Sequence, residues 1–171
     1  MAETKIYIED GTDRRLRELA MKRFGYGKGS ISKAAEEAIE QWIGRTETVE
    51  KRLSELVEKA KEDKRVIAVI LFGSYARKEY GYRDVDVALL PAEDTDFKNV
   101  QLEYLSSISP DRLIDISILN ELPLNVQSRL FDEGIILYVR DKDRLHGYNM
   151  EMVRQWSDFE RLYQLQIGGA Q

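Results

Sequence analysis

Two aspartates lie one residue apart at the start of an apolar run, DVDVALL, which spans residues 84–90. Side chains at i and i+2 of a β-strand point to the same face, so Asp84 and Asp86 would stand side by side, with Cα atoms about 7 Å apart. Carboxylates are costly to bury unless positive charge neutralises them. The pair therefore indicates a binding site for cations.

A third carboxylate lies inside a later apolar run. Asp115 is the lone acid of the strand that we predict from Arg112 to Leu119 (RLIDISIL). Three carboxylates on neighbouring strands would repel one another unless cations lay between them. Such oxygen ligands suit hard ions such as Mg²⁺, which keeps several waters and is completed by substrate phosphates. We therefore predict Asp84, Asp86 and Asp115 as metal ligands.

A glycine–serine pair follows another apolar run. Residues 65–72 (RVIAVILF) are almost all apolar, which predicts a strand covered on both faces, and Gly73 and Ser74 end it. Glycine lets the main chain approach a ligand closely, and Ser74 with the N–H groups of the following turn can hold a phosphate. A phosphate site beside metal ligands indicates nucleotide chemistry.

These motifs together resemble the minimal nucleotidyltransferase (MNT) group of the DNA polymerase beta superfamily. The likeness rests on FGSYAR, on nine residues between Gly-Ser and Asp-x-Asp, and on DISILN, and it covers about Thr46 to the C-terminus. It implies transfer of a nucleoside monophosphate from ATP or another NTP to an acceptor hydroxyl. It also implies two Mg²⁺ ions held by Asp84 and Asp86, with Asp115 sharing one ion and accepting the acceptor's proton.

The resemblance also implies nucleotide-binding residues. Gly73 and Ser74 would orient the β- and γ-phosphates, and Arg77 or Lys78 would offset their charge. The family often has glycine where this chain has Lys78, and serine before the first metal-binding aspartate where it has Arg83. Neither departure removes a metal ligand.

The N-terminal segment has a different pattern. Residues 4–9 alternate between polar and apolar side chains, which predicts a short strand, and Thr12 and Ser30 are candidate caps of two helices that end near Phe24 and at Gly44. One strand and two helices are too few to bury a core. With no cysteine to cross-link the segment, we predict that a second copy of the chain pairs with it.

This segment, residues 1–44, resembles the ribbon-helix-helix family, in which strands of two chains pair and enter the major groove of DNA. The alternative is that the module only dimerises the chain. For DNA binding, the resemblance implies that Lys5, Tyr7 and Glu9 meet base edges and that Lys28 and Ser30 hold a phosphate.

The predicted fold is therefore α+β with two modules: residues 1–44, and a mixed-sheet nucleotidyltransferase domain over residues 45–171 that begins with a third helix from Thr46 to Lys64. The charged helix at the C-terminal end resembles the tail of MNT antitoxins that pair with HEPN-type ribonucleases. An amphipathic helix that packs on its own sheet would have the same pattern. The lone histidine, His146, is expected at the surface.

The overall composition limits the classes of function. A net charge of −5 argues against non-specific nucleic-acid binding, and the lack of cysteine and of long apolar runs predicts a cytoplasmic protein without membrane contact. The leading hypothesis is an antitoxin that nucleotidylates a tyrosine of its partner, with promoter DNA bound by the first module. The alternative is a DNA-binding scaffold that neutralises its partner without turnover. Modification of a small molecule is disfavoured because little chain remains to bind it.

Overall fold

A computed structural model describes residues 5–168, with side chains described up to Asp158. The chain forms two compact units, one that ends at Thr48 and one that begins at Val49. Within residues 5–168, no helix is long and apolar enough to cross a membrane.

The second unit is built on a mixed sheet of four strands, in the order β3-β2-β1-β4. The central strand β1 pairs antiparallel with both of its neighbours, whereas β2 and β3 run parallel. Almost every residue of β1 is buried, as its continuous apolar sequence predicts. The predicted α+β fold with a mixed sheet is confirmed. The strands are β1 (Val66–Phe72), β2 (Val85–Pro91), β3 (Ile114–Ile118) and β4 (Ile135–Val139).

Helices cover both faces of this sheet. In β2, Val85 and Val87 belong to a core formed with residues of α2 (Ser30–Glu62) and α4 (Phe97–Ile108). Ala88 belongs instead to the opposite core, which contains residues of α5 (Leu124–Glu133) and α6 (Lys142–Gly168). Because side chains alternate along a strand, Asp86 is directed to the same side as Ala88, toward α5.

Two short elements complete the unit. The helix α3 (Gly73–Ala76) follows β1 directly, and a 3₁₀ turn (Leu119–Glu121) follows β3. The rings of Tyr75 and Tyr82 meet edge to face, with centroids 4.8 Å apart, and so join the two ends of the loop between α3 and β2.

The helix α2 is longer than the sequence predicts. It runs without interruption through Gly44, so the predicted helix end at Gly44 and the separate helix from Thr46 to Lys64 are wrong. A glycine inside a helix costs only about 1 kcal/mol relative to alanine. The threonine hydroxyls that follow remain within the helix, since Thr46 donates to the carbonyl of Trp42 (2.8 Å) and Thr48 to that of Gly44 (2.7 Å).

The first unit contains α1 (Asp10–Phe24) and the beginning of α2. Helix α1 begins two residues before Thr12, with Glu9 at the N-cap and no side-chain cap, so the predicted cap at Thr12 is wrong. Residues 5–9 form no strand within the single chain. A ribbon strand would take its hydrogen bonds from a second chain, so the ribbon-helix-helix arrangement stays a prediction.

Candidate active site

The strand register places two of the three predicted metal ligands side by side. Asp86 in β2 is paired with Asp115 in the parallel strand β3. Neighbouring strands lie about 4.8 Å apart, and paired residues project from the same face of the sheet. Asp84 directly precedes β2, two residues before Asp86. The Asp84 and Asp115 side chains are exposed, and Asp86 is half-buried.

The electrostatics of Asp86 reflect this arrangement. Burial raises the pKa of the Asp86 carboxyl above its ordinary value, and the nearby carboxylates of Asp84 and Asp115 raise this pKa further. The Arg77 guanidinium acts in the opposite direction but does not cancel the rise. A cluster of like charges with so little compensation favours binding of a cation.

The donor chemistry of the three aspartates fits Mg²⁺, because hard cations prefer carboxylate oxygens. Among the residues that the structure describes, no group of three or more acidic or histidine side chains stands close enough together to form a ready-made metal site. Magnesium commonly takes only one or two protein carboxylates together with waters and substrate phosphates. The pair Asp86 and Asp115, with Asp84 beside them, is sufficient for such a partial site.

The Gly-Ser turn lies directly against Asp86. Gly73 begins α3 with φ +75°, a conformation that L side chains rarely adopt. A Cβ atom at Gly73 would overlap with Oδ2 of Asp86 and lie 2.9 Å from its Cγ. The predicted phosphate-binding turn and the predicted metal ligand are thus in contact.

A cavity of about 240 Å³ opens beside this contact. Ser74, Arg77 and Asp86 line it, so residues predicted for phosphate binding and for metal binding share one space. A second cavity, of about 350 Å³, is lined by Asp84 and the loop after α3, and Ser74 lines both cavities. The full lining of the first cavity is Phe72, Gly73, Ser74, Arg77, Asp86, Val126, Arg129, Leu130 and Glu133.

Lys78 is placed differently from Arg77. It is exposed, adopts φ +58° and lies outside the lining of both cavities. Its backbone N–H donates to the carbonyl of Tyr75 (3.0 Å), which closes the turn after α3. The residue at this position therefore has a left-handed backbone conformation, which glycine adopts without strain.

The helix α5 supplies a wall of the first cavity that the sequence analysis missed. Val126, Arg129, Leu130 and Glu133 line it. Their spacing of i, i+3, i+4 and i+7 is that of one helix face, which is visible in the sequence. The sequence does not reveal which end of the sheet this face covers.

The residues predicted for base contacts are exposed in the first unit. Lys5, Tyr7 and Glu9 are all accessible, and Lys5 Nζ lies 5.1 Å from the centroid of the Tyr7 ring. Ile6 and Ile8, which alternate with them, remain 59% and 45% exposed. An apolar side without a covering partner is typical of a surface that is buried on association.

The two residues predicted for phosphate contact differ from each other. Lys28 is exposed, whereas Ser30 is buried. The Ser30 hydroxyl lies within hydrogen-bonding distance of the carbonyls of Gly25 (2.6 Å) and Gly27 (3.0 Å), to which it donates. The Ser30 side chain thus closes the turn between α1 and α2, which leaves the main-chain N–H groups of α2 as the donors for a phosphate.

Residues 54–143 match the family described as "Polymerase beta, Nucleotidyltransferase". The match spans more than half of the chain and includes the Gly-Ser turn and all three aspartates. The chain therefore belongs to this family, and the nucleotidyltransferase activity predicted from the sequence is confirmed at the level of the family.

A curated relative comes from Methanocaldococcus jannaschii and carries the name "Putative protein adenylyltransferase". It is 29% identical over 98 residues, which cover 57% of this chain and 75% of the relative.

Two solved structures share the fold. A chain from a toxin–antitoxin crystal structure with AMP-PNP is 17% identical, with a TM-score of 0.53 over 70% of this chain and 96% of that chain. A chain from the complex of a tri-AMPylated Shewanella oneidensis HEPN toxin with an MNT antitoxin is 16% identical, with a TM-score of 0.50 over 73% and 97%. The mixed-sheet nucleotidyltransferase fold predicted from the sequence is confirmed.

Proposed function

We propose that the protein transfers AMP from ATP to a tyrosine hydroxyl of a HEPN-type toxin and acts as its antitoxin. The observation that carries this proposal is the register of Asp86 with Asp115 beside the Gly73–Ser74 turn. Two comparisons support the transfer of AMP to a protein: the curated relative is named a "Putative protein adenylyltransferase", and a chain that shares the fold comes from the complex of an AMPylated HEPN toxin with an MNT antitoxin.

The residues of the candidate active site have distinct roles in this reaction. Ser74 and the main-chain N–H groups of α3 bind the β- and γ-phosphates, and Gly73 allows their close approach. Asp84, Asp86 and Asp115 are the residues that would hold Mg²⁺ at this site. When bound, Mg²⁺ supplies positive charge that neutralises the triphosphate and the departing pyrophosphate.

The transfer is an in-line displacement at the α-phosphorus. A bond forms between the tyrosine oxygen and the α-phosphorus, and the bond from that phosphorus to the pyrophosphate oxygen breaks. The tyrosine proton passes to the Asp115 carboxylate, which is exposed and therefore accessible to an acceptor. Arg77 lies on the cavity wall and offsets the charge of the pyrophosphate.

Incubation with Mg²⁺, labelled ATP and a candidate HEPN-type partner protein tests the proposal. The wild type should label the partner, and Asp86→Asn should lose at least about a thousandfold in rate because it removes a metal ligand. Asp94→Asn is the control, since Asp94 is an exposed acid in the turn after β2. Partner binding without label would contradict the proposal and support the non-catalytic scaffold.

The exposed residues of the first unit support a second function, which is dimerisation and DNA binding. We propose that residues 1–44 form a module separate from residues 45–171, that this module dimerises through a ribbon of two strands, and that the ribbon binds the promoter of the operon. The exposed apolar side chains Ile6 and Ile8 support dimerisation. The accessible Lys5, Tyr7 and Glu9 on the other side support contact with bases. A gel shift with the promoter tests DNA binding, and no shift would contradict it.

A further inference from the structure

Two arginines lie on the wall of the first cavity, and carboxylates hold them to very different degrees. The Arg77 guanidinium is fixed twice, by Glu79 at 2.6 Å and by Glu133 at 3.2 Å. Its side chain is 31% exposed. Arg77 is thus oriented on both sides by the protein itself.

The Arg129 guanidinium has a weaker attachment. Its ion pair with Glu133 is long, at 3.8 Å, and its side chain is 65% exposed. Such an exposed pair between residues four apart in a helix contributes little to stability, typically about 0.3–0.5 kcal/mol. Arg129 can therefore exchange this carboxylate for a stronger anionic ligand at small cost.

The position of Arg129 defines which ligand that would be. It lines the same cavity as Gly73 and Ser74, on the wall formed by α5. The apolar side chains of Val126 and Leu130 lie beside it in that wall. A guanidinium at this position can bind two phosphate oxygens at once.

We infer that Arg129 is a phosphate-binding residue of this site, which pairs with Glu133 in the nucleotide-free chain and turns to the β- and γ-phosphates when ATP binds. This inference rests on the proposed nucleotide site and adds a residue from α5 to it. Arg77, whose guanidinium is already held by two carboxylates, offsets the charge of the pyrophosphate from a fixed position, whereas Arg129 turns to contact the phosphates directly.

Binding measurements with a nucleotide that cannot react test this assignment. The probe is α,β-methylene ATP with Mg²⁺, because its methylene bridge prevents release of pyrophosphate, and tripolyphosphate is the second probe. Arg129→Gln should weaken both probes by roughly tenfold, the value expected for loss of one charged hydrogen bond. Arg129→Lys should recover part of that loss, since it keeps the charge but not the two-point contact.

Arg144 provides a matched control. It is also a helical arginine, 58% exposed, in an ion pair of 3.6 Å with Asp141, and it lies outside the lining of the first cavity. Arg144→Gln should bind both probes as the wild type does. Circular dichroism of each variant checks that the fold is retained.

The outcomes separate this inference from the proposed function. If Arg129→Gln bound both probes as tightly as the wild type does, the inference would be overturned. It would also be overturned if the variant bound only the nucleotide more weakly, because that result would indicate contact with the base or the ribose. If the wild type bound both probes but transferred no AMP, the proposed function would fail and Arg129 would keep its assignment. If the wild type bound neither probe, the inference about Arg129 and the proposed function would both be refuted.

Discussion

Gly73 and Asp86 are packed so closely that a methyl group on Gly73 would overlap with the Asp86 carboxylate. Gly73 also has a φ of +75°, in the region that favours glycine. Two independent constraints therefore require glycine at this position. The contact places the main chain of the phosphate-binding turn beside a predicted metal ligand, where nucleotide and cation would meet.

Gly73→Ala should therefore disturb the fold and the site together. We expect a loss of about 2 kcal/mol or more in the free energy of unfolding, from backbone strain and from displacement of Asp86, with strongly reduced ATP affinity. Gly25→Ala is the matched control, because Gly25 has φ +85° but open space where a Cβ would lie, and it lines neither cavity of the site. It should show the strain alone, about 1 kcal/mol, with ATP affinity retained. Equal effects of the two variants in urea unfolding and calorimetry would contradict the account.

Lys78→Gly should stabilise the fold. Lys78 has a left-handed backbone conformation, which costs a non-glycine residue about 1–2 kcal/mol. Glycine avoids this strain but loses about 0.5–1 kcal/mol more in chain entropy on folding. We therefore expect the free energy of unfolding to rise by about 0.5–1 kcal/mol. If Lys78 also offsets phosphate charge, ATP affinity should fall. Urea unfolding measures the first effect and calorimetry the second. A lower stability than the wild type would show that the Lys78 side chain supports the loop.

The ion pair between Arg52 and Asp111 should make the protein sensitive to acid. The Arg52 guanidinium, and then the Leu113 amide, lower the pKa of Asp111 to about 2. A carboxyl with a lowered pKa stabilises the fold above its ordinary pKa of 3.8, and this contribution is lost as the pH falls toward 2. Since Asp111 precedes β3, the ion pair also supports the strand that carries Asp115.

Asp111→Asn tests this coupling. It should lower the urea midpoint at pH 7 and flatten the loss of stability between pH 4 and about pH 2, whereas Asp94→Asn should change neither. An unaltered pH profile in Asp111→Asn would contradict the assignment.

The exposed apolar side chains of the first unit lead us to expect a dimer. Ile8 is 45% exposed in the single chain and would be buried when a second strand pairs with residues 5–9. Ile8→Glu should convert the full-length protein to a monomer in sedimentation experiments, because burial of an unpaired carboxylate is costly. Glu9→Gln, on the opposite side of the segment, should leave the dimer intact. A wild type that sediments as a monomer at all concentrations would refute the ribbon.

Elements set by local sequence could be predicted closely. The strand predicted over residues 65–72 is observed as β1, from Val66 to Phe72, because an apolar run that stops at Gly73 has clear limits. The spacing between Gly73 and Asp84 likewise identified the turn and the strand that carries the aspartates. Such patterns depend on neighbours in the chain.

Features that depend on tertiary packing could not be predicted. The prediction of a helix end at Gly44 rested on that one residue. A glycine inside a helix costs only about 1 kcal/mol, which is less than the helical residues on both sides contribute to the stability of the helix. The position of Arg129 beside Gly73 depends on how α5 packs on the sheet, which no local pattern encodes. The buried position of Ser30 similarly follows from the turn between α1 and α2.

Transfer of label from ATP labelled at either the α- or the γ-phosphate tests the central claim most directly. The wild type, with Mg²⁺ and the HEPN-type partner, should transfer the α-label to a partner tyrosine and release the γ-label in pyrophosphate, and Asp86→Asn should do neither. Transfer of the γ-label, or α-label transfer that persists in Asp86→Asn, would contradict a nucleotidyltransferase site built on Asp86 and Asp115.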